Sequence, residues 1–181
     1  MVYATAFFIT SNAQAHRQVA EYCAANDKPF AFNIAATWII HTNYDDVMHS
    51  IEHADYVFCN EDEGSLMAEK QGFKAEDRLS AAKFVANYKK ANGKRNRIAV
   101  ITQGPLPIIV AEHQEGGEPK ITEIPIPELD QNLVVDTNGA GDACVGGFLA
   151  GMARGLSVED SIKEGIKLSA KIVCRHGCVF E

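Results

Sequence analysis

Residues 136–142 read DTNGAGD, and they follow an apolar pair, Val134-Val135, that we predict to be a short strand. An almost continuously apolar segment comes next, and its composition predicts a buried helix over Ala143–Arg154. The two glycines allow the backbone to turn tightly with amide N–H groups pointing outward, and the helix that begins near Asp142 adds the positive end of its dipole. The segment therefore predicts an anion site, suited to a phosphate or to charge that develops on one.

A carboxylate in an anion site repels phosphate, so Asp142 needs a chemical task. It has one as a general base, which takes a proton from a hydroxyl while that hydroxyl attacks a phosphoryl group. The common phosphate motifs fit badly, because the chain has no GxxxxGK[ST] segment and a GxGxxG pattern would require glycine at Cys144. From spacing alone, a plain strand–turn–helix junction with packing glycines stays open as the alternative.

The rest of the chain alternates short apolar runs with helical patterns, which is typical of α/β folds. The first run predicts a strand over Ala4–Thr10, and no repeat, low-complexity tract or linker divides residues 1–181, which we take as a single domain. Gly146, Gly147 and Gly151 would weaken an exposed helix, so they indicate close backbone packing in the helix after the motif.

The composition is that of an ordinary soluble protein, with 46% hydrophobic and 23% charged residues among 181. Seventeen basic and 24 acidic residues give a net charge of −7, which argues against nucleic acid or an anionic membrane as the partner. The N-terminal sequence lacks the features of a signal peptide. Five scattered cysteines are typical of a reducing compartment, so we expect a cytoplasmic protein, with the nucleus as a second location. The single tryptophan, Trp38, is expected in the core.

Residues 136–148, DTNGAGDACVGGF, resemble the second signature of the ribokinase-like carbohydrate and purine kinases, in which D-T-x-G-A-G-D is highly specific. Four further features are similar to the adenosine kinases in particular: Asn138, NEDE at 60–63, ITQG at 101–104 and RHGCVF at 175–180. The resemblance departs from the family at Cys144, where Phe is usual, and at Thr37, where a Pro commonly follows the strand. It implies a ribokinase-like three-layer α/β/α fold, of which this chain holds the C-terminal part of the central sheet with its flanking helices.

The resemblance also implies a reaction, the ATP-dependent transfer of the γ-phosphate to the 5′-hydroxyl of adenosine, which gives AMP in purine salvage. Asp142 corresponds to the catalytic base of the family. The anion hole corresponds to the backbone amides of Gly139, Ala140 and Gly141. Adenosine and ATP are thus the implied small-molecule partners.

Asn60 and Glu63 match the family's N-x-x-E, which helps to place Mg²⁺ and the phosphates, partly through water. Hard oxygen ligands suit a hydrated Mg²⁺ better than a soft metal. Four more residues match family positions at the nucleotide: Thr102, Gly104, Gln131 and Asn138. Without the resemblance, Asn60 and Glu63 would be an N-cap and a solvated carboxylate, and Thr102 with Gly104 a hairpin corner.

The N-terminal half of the family carries a first glycine signature, most of the nucleoside pocket and a lid, and the resemblance supplies no counterpart to them. We therefore expect a fragment with little activity alone, whose sheet begins with an unpaired edge at Ala4–Thr10. That edge predicts marginal solubility, or dimerisation through it. Two other functions stay open: a non-catalytic nucleotide-binding module that retained the ATP site, and another nucleoside or sugar kinase of the same superfamily.

Overall fold

The computed structural model of the chain describes residues 1–74 and 78–177, without the side chains of Arg78 and Gln131. The predicted role of the Gln131 side chain and the end of the RHGCVF segment lie outside the described residues. The chain divides into two compact units: Met1–Gly104 with Ile108–Glu123, and Pro105–Pro107 with Ile124–Glu181. In the described part of the chain, no helix combines the length and the apolar character that crossing a membrane requires.

The described residues form a six-stranded sheet and seven α-helices. The strands are β1 (Val2–Thr5), β2 (Phe30–Asn33), β3 (Tyr56–Asn60), β4 (Ile98–Gln103), β5 (Leu106–Glu112) and β6 (Lys120–Ile124). The helices are α1 (Phe7–Ala25), α2 (Thr37–Thr42), α3 (Tyr44–His53), α4 (Glu61–Lys70), α5 (Arg78–Asn87), α6 (Ala140–Ala153) and α7 (Val158–Val173). One 3₁₀ helix spans Gln131–Leu133.

Most of the sheet belongs to the first unit, and its strands follow the order of the sequence. Strands β1 to β4 are parallel to one another, and helices connect them, as parallel strands require. Only Gly104 and Pro105 separate β4 from β5, so these two strands form an antiparallel hairpin. The predicted α/β class is therefore confirmed, with the carboxyl ends of β1 to β4 at one edge of the sheet.

The first apolar run forms a strand and a helix where we predicted one strand over Ala4–Thr10, so that prediction was wrong. Strand β1 ends at Thr5, and α1 begins at Phe7. The helix is interrupted at Asn12, whose φ of −160° and ψ of 89° are extended and whose Oδ1 accepts a hydrogen bond from the Ala15 amide at 2.9 Å. Apolar runs this short do not distinguish strand from helix, because periodicity needs more residues to show.

Strand β1 is the outermost strand of the sheet in the described residues, and none of its residues is charged. The other edge, β6, carries Lys120 and Glu123, which disfavour edge-to-edge pairing. Dimerisation through β1 stays a prediction. The core position expected for Trp38 was wrong, because this side chain is half exposed in the first turn of α2, with its ring 6.2 Å from that of Phe7.

The second unit contains α6 and α7, whose backbones touch. A Cβ atom at Gly147 would lie 2.6 Å from Gly165 Cα, and one at Gly151 would lie 2.8 Å from Ser161 Cα. The close packing predicted for these two glycines is therefore confirmed. The same prediction was wrong for Gly146, which is exposed and whose added Cβ would meet open space. Helix α6 is consequently buried on one face only.

The segment before α6 is not a strand, so the strand predicted at Val134-Val135 was wrong. The amides of Val135 and Asp136 instead donate to the carbonyl oxygen of Val173, at 2.7 and 3.2 Å. Because this carbonyl group ends α7, the helix end satisfies the backbone donors that a neighbouring strand would otherwise take. Helix α6 begins at Ala140, three residues earlier than predicted, so the DTNGAGD segment includes its first turn.

Candidate active site

The first turn of α6 begins from a glycine in a left-handed conformation. Gly139 is the N-cap residue with φ of +76°, and it offers no side chain to cap the helix. The Ala140 amide donates to the Thr137 carbonyl oxygen at 3.2 Å, so one of the three amides predicted for the anion hole has a backbone partner. The amides of Gly141 and Asp142 occupy helix positions for which the helix itself supplies no acceptor. This helix start therefore offers donors and a positive dipole end to an anion.

Asp142 is the third residue of α6, and it is exposed. A carboxylate in the first turn of a helix lies at the positive end of the helix dipole, where the two charges attract. Exposure also leaves the carboxylate accessible to a hydroxyl group of a substrate. The geometry is compatible with the predicted role of Asp142.

Asp136, at the beginning of the motif, holds the loop in shape. Its Oδ1 accepts hydrogen bonds from the backbone and side-chain amides of Asn138, both at 2.9 Å, and its Oδ2 accepts one from the Gly177 amide at 3.4 Å. The hydrogen bond from the Asn138 backbone is the main reason that the pKa of Asp136 is lowered. The sequence reasoning missed this residue, although its Asp-x-Asn spacing is typical of an Asx turn.

The predicted nucleotide role of Asn138 thus coexists with a structural contact. Its side-chain amide is one of the three groups from which Asp136 accepts a hydrogen bond. Any nucleotide contact from Asn138 would therefore come from a side chain that the loop already orients.

Asn60 and Glu63 form a reciprocal cap at the start of α4. Asn60 Oδ1 accepts from the Glu63 amide at 2.8 Å, while Glu63 Oε2 accepts from the Asn60 amide at 3.0 Å and Oε1 from the Asn60 side chain at 3.1 Å. This is a capping box with an additional hydrogen bond. The N-cap interpretation of Asn60 is confirmed, but the solvated carboxylate expected at Glu63 is wrong, because this residue is only 4% exposed.

The oxygen atoms of Asn60 and Glu63 suit an Mg²⁺ ion that is bound through its water shell better than one that they coordinate directly. Both Glu63 oxygens accept hydrogen bonds from Asn60, so direct coordination would compete with the cap. Their remaining lone pairs can accept hydrogen bonds from metal-bound water. The water-mediated role that the resemblance implies is therefore compatible with the cap.

Thr102 lies next to Asn60 in the sheet, since the two residues are paired in the register of β3 and β4. Gly104 follows β4 with φ of +54°, as the tight turn to β5 requires. The first unit thus brings Asn60, Glu63, Thr102 and Gly104 to the carboxyl edge of adjacent parallel strands, where open α/β sheets bind ligands. Asp142 and the rest of the DTNGAGD segment belong to the second unit.

Comparison with known sequences identifies a family for the whole chain. The profile of the pfkB family of carbohydrate kinases matches residues 1–181. Adenosine kinase 2 and adenosine kinase 1 of Arabidopsis thaliana are 35% and 34% identical to the chain over 178 residues. Each alignment covers 98% of this chain and 50% of the relative, so the chain spans about half the length of the curated relatives it matches.

Solved structures of adenosine kinases have the same fold. The structure of the Anopheles gambiae enzyme in complex with diadenosine tetraphosphate has a TM-score of 0.90 and 35% sequence identity to this chain. The superposition covers 97% of this chain and 51% of the Anopheles chain. The Schistosoma mansoni enzyme, in complex with 2-fluoroadenosine, has a TM-score of 0.91 at 28% identity over 99% of this chain and 52% of its own. The ribokinase-like fold and the resemblance to adenosine kinases are thereby confirmed. The chain belongs to the pfkB family of carbohydrate kinases.

Proposed function

We propose that the chain carries the phosphoryl-transfer residues of an adenosine kinase, which uses ATP to phosphorylate the 5′-hydroxyl of adenosine to AMP. One observation carries the proposal: an exposed carboxylate, Asp142, in the first turn of a helix whose N-cap is a glycine. A binding module for phosphate has no need of that carboxylate, because its charge opposes the ligand. The similarity to adenosine kinases, one of them from Schistosoma mansoni in complex with adenosine and AMP, supports adenosine as the acceptor.

In the proposed mechanism, Asp142 accepts the proton of the 5′-hydroxyl while the hydroxyl oxygen attacks the γ-phosphorus of ATP. The bond from the γ-phosphorus to the bridging oxygen breaks, and ADP leaves with that electron pair. Backbone amides at Gly139 and Gly141 donate to the transferring group, with the dipole of α6 aligned behind them, whereas the Ala140 amide donates to the Thr137 carbonyl oxygen. A positioned general base contributes about 10²–10⁴-fold to such a step.

The nucleotide is proposed to lie against the residues that the resemblance assigns to it: Asn60, Thr102, Gly104, Gln131 and Asn138. Mg²⁺, when bound, neutralises charge on the β- and γ-phosphates. Glu63 and Asn60 would orient water molecules of its hydration shell, since their direct bonds serve the cap of α4. A role in purine salvage follows from this reaction, and the scattered cysteines support the cytoplasm as its location.

Calorimetry and a coupled ADP-release assay test the proposal. The chain alone is titrated with MgATP, and then assayed with MgATP and adenosine together with the part of the Arabidopsis thaliana relative that it does not cover. Parallel assays replace adenosine by ribose or by fructose as the acceptor. We expect MgATP binding by the chain and adenosine-dependent ADP release in the combined sample.

The outcomes separate the competing functions. Turnover with a sugar but not with adenosine would identify another kinase of the superfamily. Bound MgATP without transfer to any acceptor would indicate a nucleotide-binding module. A folded chain that gives no heat with MgATP would overturn the proposal.

A further inference from the structure

One face of α7 contacts α6 and the motif loop at four-residue spacing, as residues on one side of a helix do. Its contact residues are Ser161, Gly165, Ser169 and Val173. Ser161 packs against Gly151, and Gly165 packs so closely that a Cβ there would lie 2.4 Å from the Cys144 carbonyl oxygen. The Val173 carbonyl oxygen accepts from the amides of Val135 and Asp136, at the beginning of the motif. Helix α7 therefore supports both α6 and the segment that leads into it.

Ser169 makes the contact nearest to the proposed chemistry. Its hydroxyl donates to the Ala140 carbonyl oxygen at 2.7 Å, and it also hydrogen-bonds the Cys144 thiol. Ala140 is the first residue of α6, so this hydroxyl holds the turn that carries Gly141 and Asp142. Burial raises the pKa of Cys144 to about 11, so the thiol stays protonated beside Ser169.

We propose that Ser169 is a positioning residue for the anion hole and for Asp142. It acts through Ala140: the hydroxyl fixes the first turn of α6 on α7, and thereby the direction of the amides of Gly141 and Asp142. Such donors stabilise a transition state only when they are oriented beforehand. The effect of Ser169 on phosphoryl transfer rests on the proposed function, whereas the hydrogen bond from Ser169 to Ala140 does not.

Ser161 offers a matched control on the same helix. It lies two turns before Ser169, is fully buried, and packs against the same neighbour, α6, at Gly151. Among the described residues its hydroxyl has no hydrogen-bond partner. Replacing either serine by alanine therefore removes one hydroxyl from the same interface, but only Ser169→Ala removes a hydrogen bond to the first turn of α6.

The test combines amide hydrogen exchange, resolved by NMR, with MgATP titration of the full chain. The Ala143 amide, which donates to the Gly139 carbonyl at 2.9 Å, reports on the first turn, and the Phe148 amide reports on the middle of α6. Loss of one hydrogen bond predicts exchange about fivefold faster at Ala143 in Ser169→Ala, with Phe148 unchanged. We expect a similar, about fivefold, loss of MgATP affinity, and neither effect in Ser161→Ala.

Two results would overturn the positioning role. One is an exchange rate at Ala143 that is no more affected than the rate at Phe148, either because both are unchanged or because both rise equally with a general loss of stability. The other is a looser first turn with unchanged MgATP affinity. A wild-type chain that binds no MgATP refutes the proposed function instead, and this outcome is recognised without any variant.

Discussion

Helices α6 and α7 have the same residue type at their third position but differ in the residue that caps their N-terminus. Each has an aspartate as its third residue, Asp142 in α6 and Asp160 in α7, and both are exposed. The N-cap of α7 is Ser157, whose Oγ accepts from the Asp160 amide at 3.1 Å and donates to the Asp160 carboxylate at 2.8 Å. The N-cap of α6 is Gly139, which has no side chain to do either.

The difference shows what a helix start can be used for. At α7 the Ser157 side chain accepts from a first-turn amide, which stabilises the helix by about 1 kcal/mol. Fewer amide donors are then available to a ligand. At α6 the N-cap residue has no side chain to accept from the first-turn amides, and support comes from α7 through Ser169 and Val173. The start of α4, closed by Asn60 and Glu63, is of the α7 kind, although it lies at the ligand-binding edge of the sheet.

The largest effect is expected when the two aspartates are changed in parallel. Asp142→Asn and Asp160→Asn each remove one negative charge from the same position of a helix, so their effects on the dipole and on net charge are matched. Asp142→Asn should lower turnover in the combined adenosine assay by about 10²–10⁴-fold, because an amide cannot accept the proton. Asp160→Asn should leave turnover unchanged. Equal turnover in the two variants would remove the general-base role.

A smaller effect is expected at α4, where two changes to Glu63 separate its cap from its charge. Glu63→Ala leaves the partly buried Asn60 amide without its acceptor and should lower the free energy of unfolding by about 1–3 kcal/mol. Glu63→Gln retains an acceptor for that amide, since glutamine also closes capping boxes, so most of the stability should remain.

The contribution of the Glu63 charge is measured by the Mg²⁺ dependence of nucleotide binding. Glu63→Gln should raise the Mg²⁺ concentration needed for half-maximal nucleotide binding in calorimetry, with urea unfolding as the stability control. Glu61→Gln is the comparison, because Glu61 lies in the same first turn and is exposed. A Glu63→Gln variant with the Mg²⁺ dependence of Glu61→Gln would leave Glu63 with the cap as its only role.

Much of the first unit could be predicted because its signals are local. The alternation of short apolar runs with helical patterns predicted the α/β class, and the residue type of Asn60 predicted an N-cap. The burial of Glu63 was not predictable in this way, since it depends on the packing of α4 against the sheet. The strand and helix within Ala4–Thr10 were not separable either, because β1 ends at Thr5 and α1 begins at Phe7 within a run too short to show either periodicity.

For the candidate site, the residue types predicted the chemistry, while the contacts that hold it depend on distant parts of the chain. The glycines and Asp142 predicted an anion-binding helix start from seven consecutive residues. The hydrogen bond from Ser169 to Ala140 joins residues 29 positions apart. The Val173 carbonyl oxygen is the acceptor for the segment where a strand was expected at Val134-Val135. Such pairings arise from how α7 packs on α6, which the sequence pattern of either helix does not specify.

The αL conformation of the α6 N-cap predicts opposite effects of alanine at two nearby glycines. Gly139 has φ of +76°, so Gly139→Ala should lower the free energy of unfolding by about 1–2 kcal/mol. Gly141 lies within the helix and an added Cβ would meet nothing within 4 Å, so Gly141→Ala should raise that free energy by up to about 1 kcal/mol. Urea unfolding of both variants measures the pair. A stabilising Gly139→Ala would contradict the N-cap geometry.

The smallest effect is expected at the closed helix start, where Ser157→Ala removes the side-chain cap of α7. The free energy of unfolding should fall by about 1 kcal/mol, since the Asp160 amide loses its acceptor. MgATP affinity should not change, because this cap serves only the helix. A variant that keeps its stability but loses nucleotide affinity would mean that the two helix starts do not divide stability and ligand binding between them. If Ser157→Ala loses stability alone, the missing cap at Gly139 is a feature of the binding site and not a general property of helices in this unit.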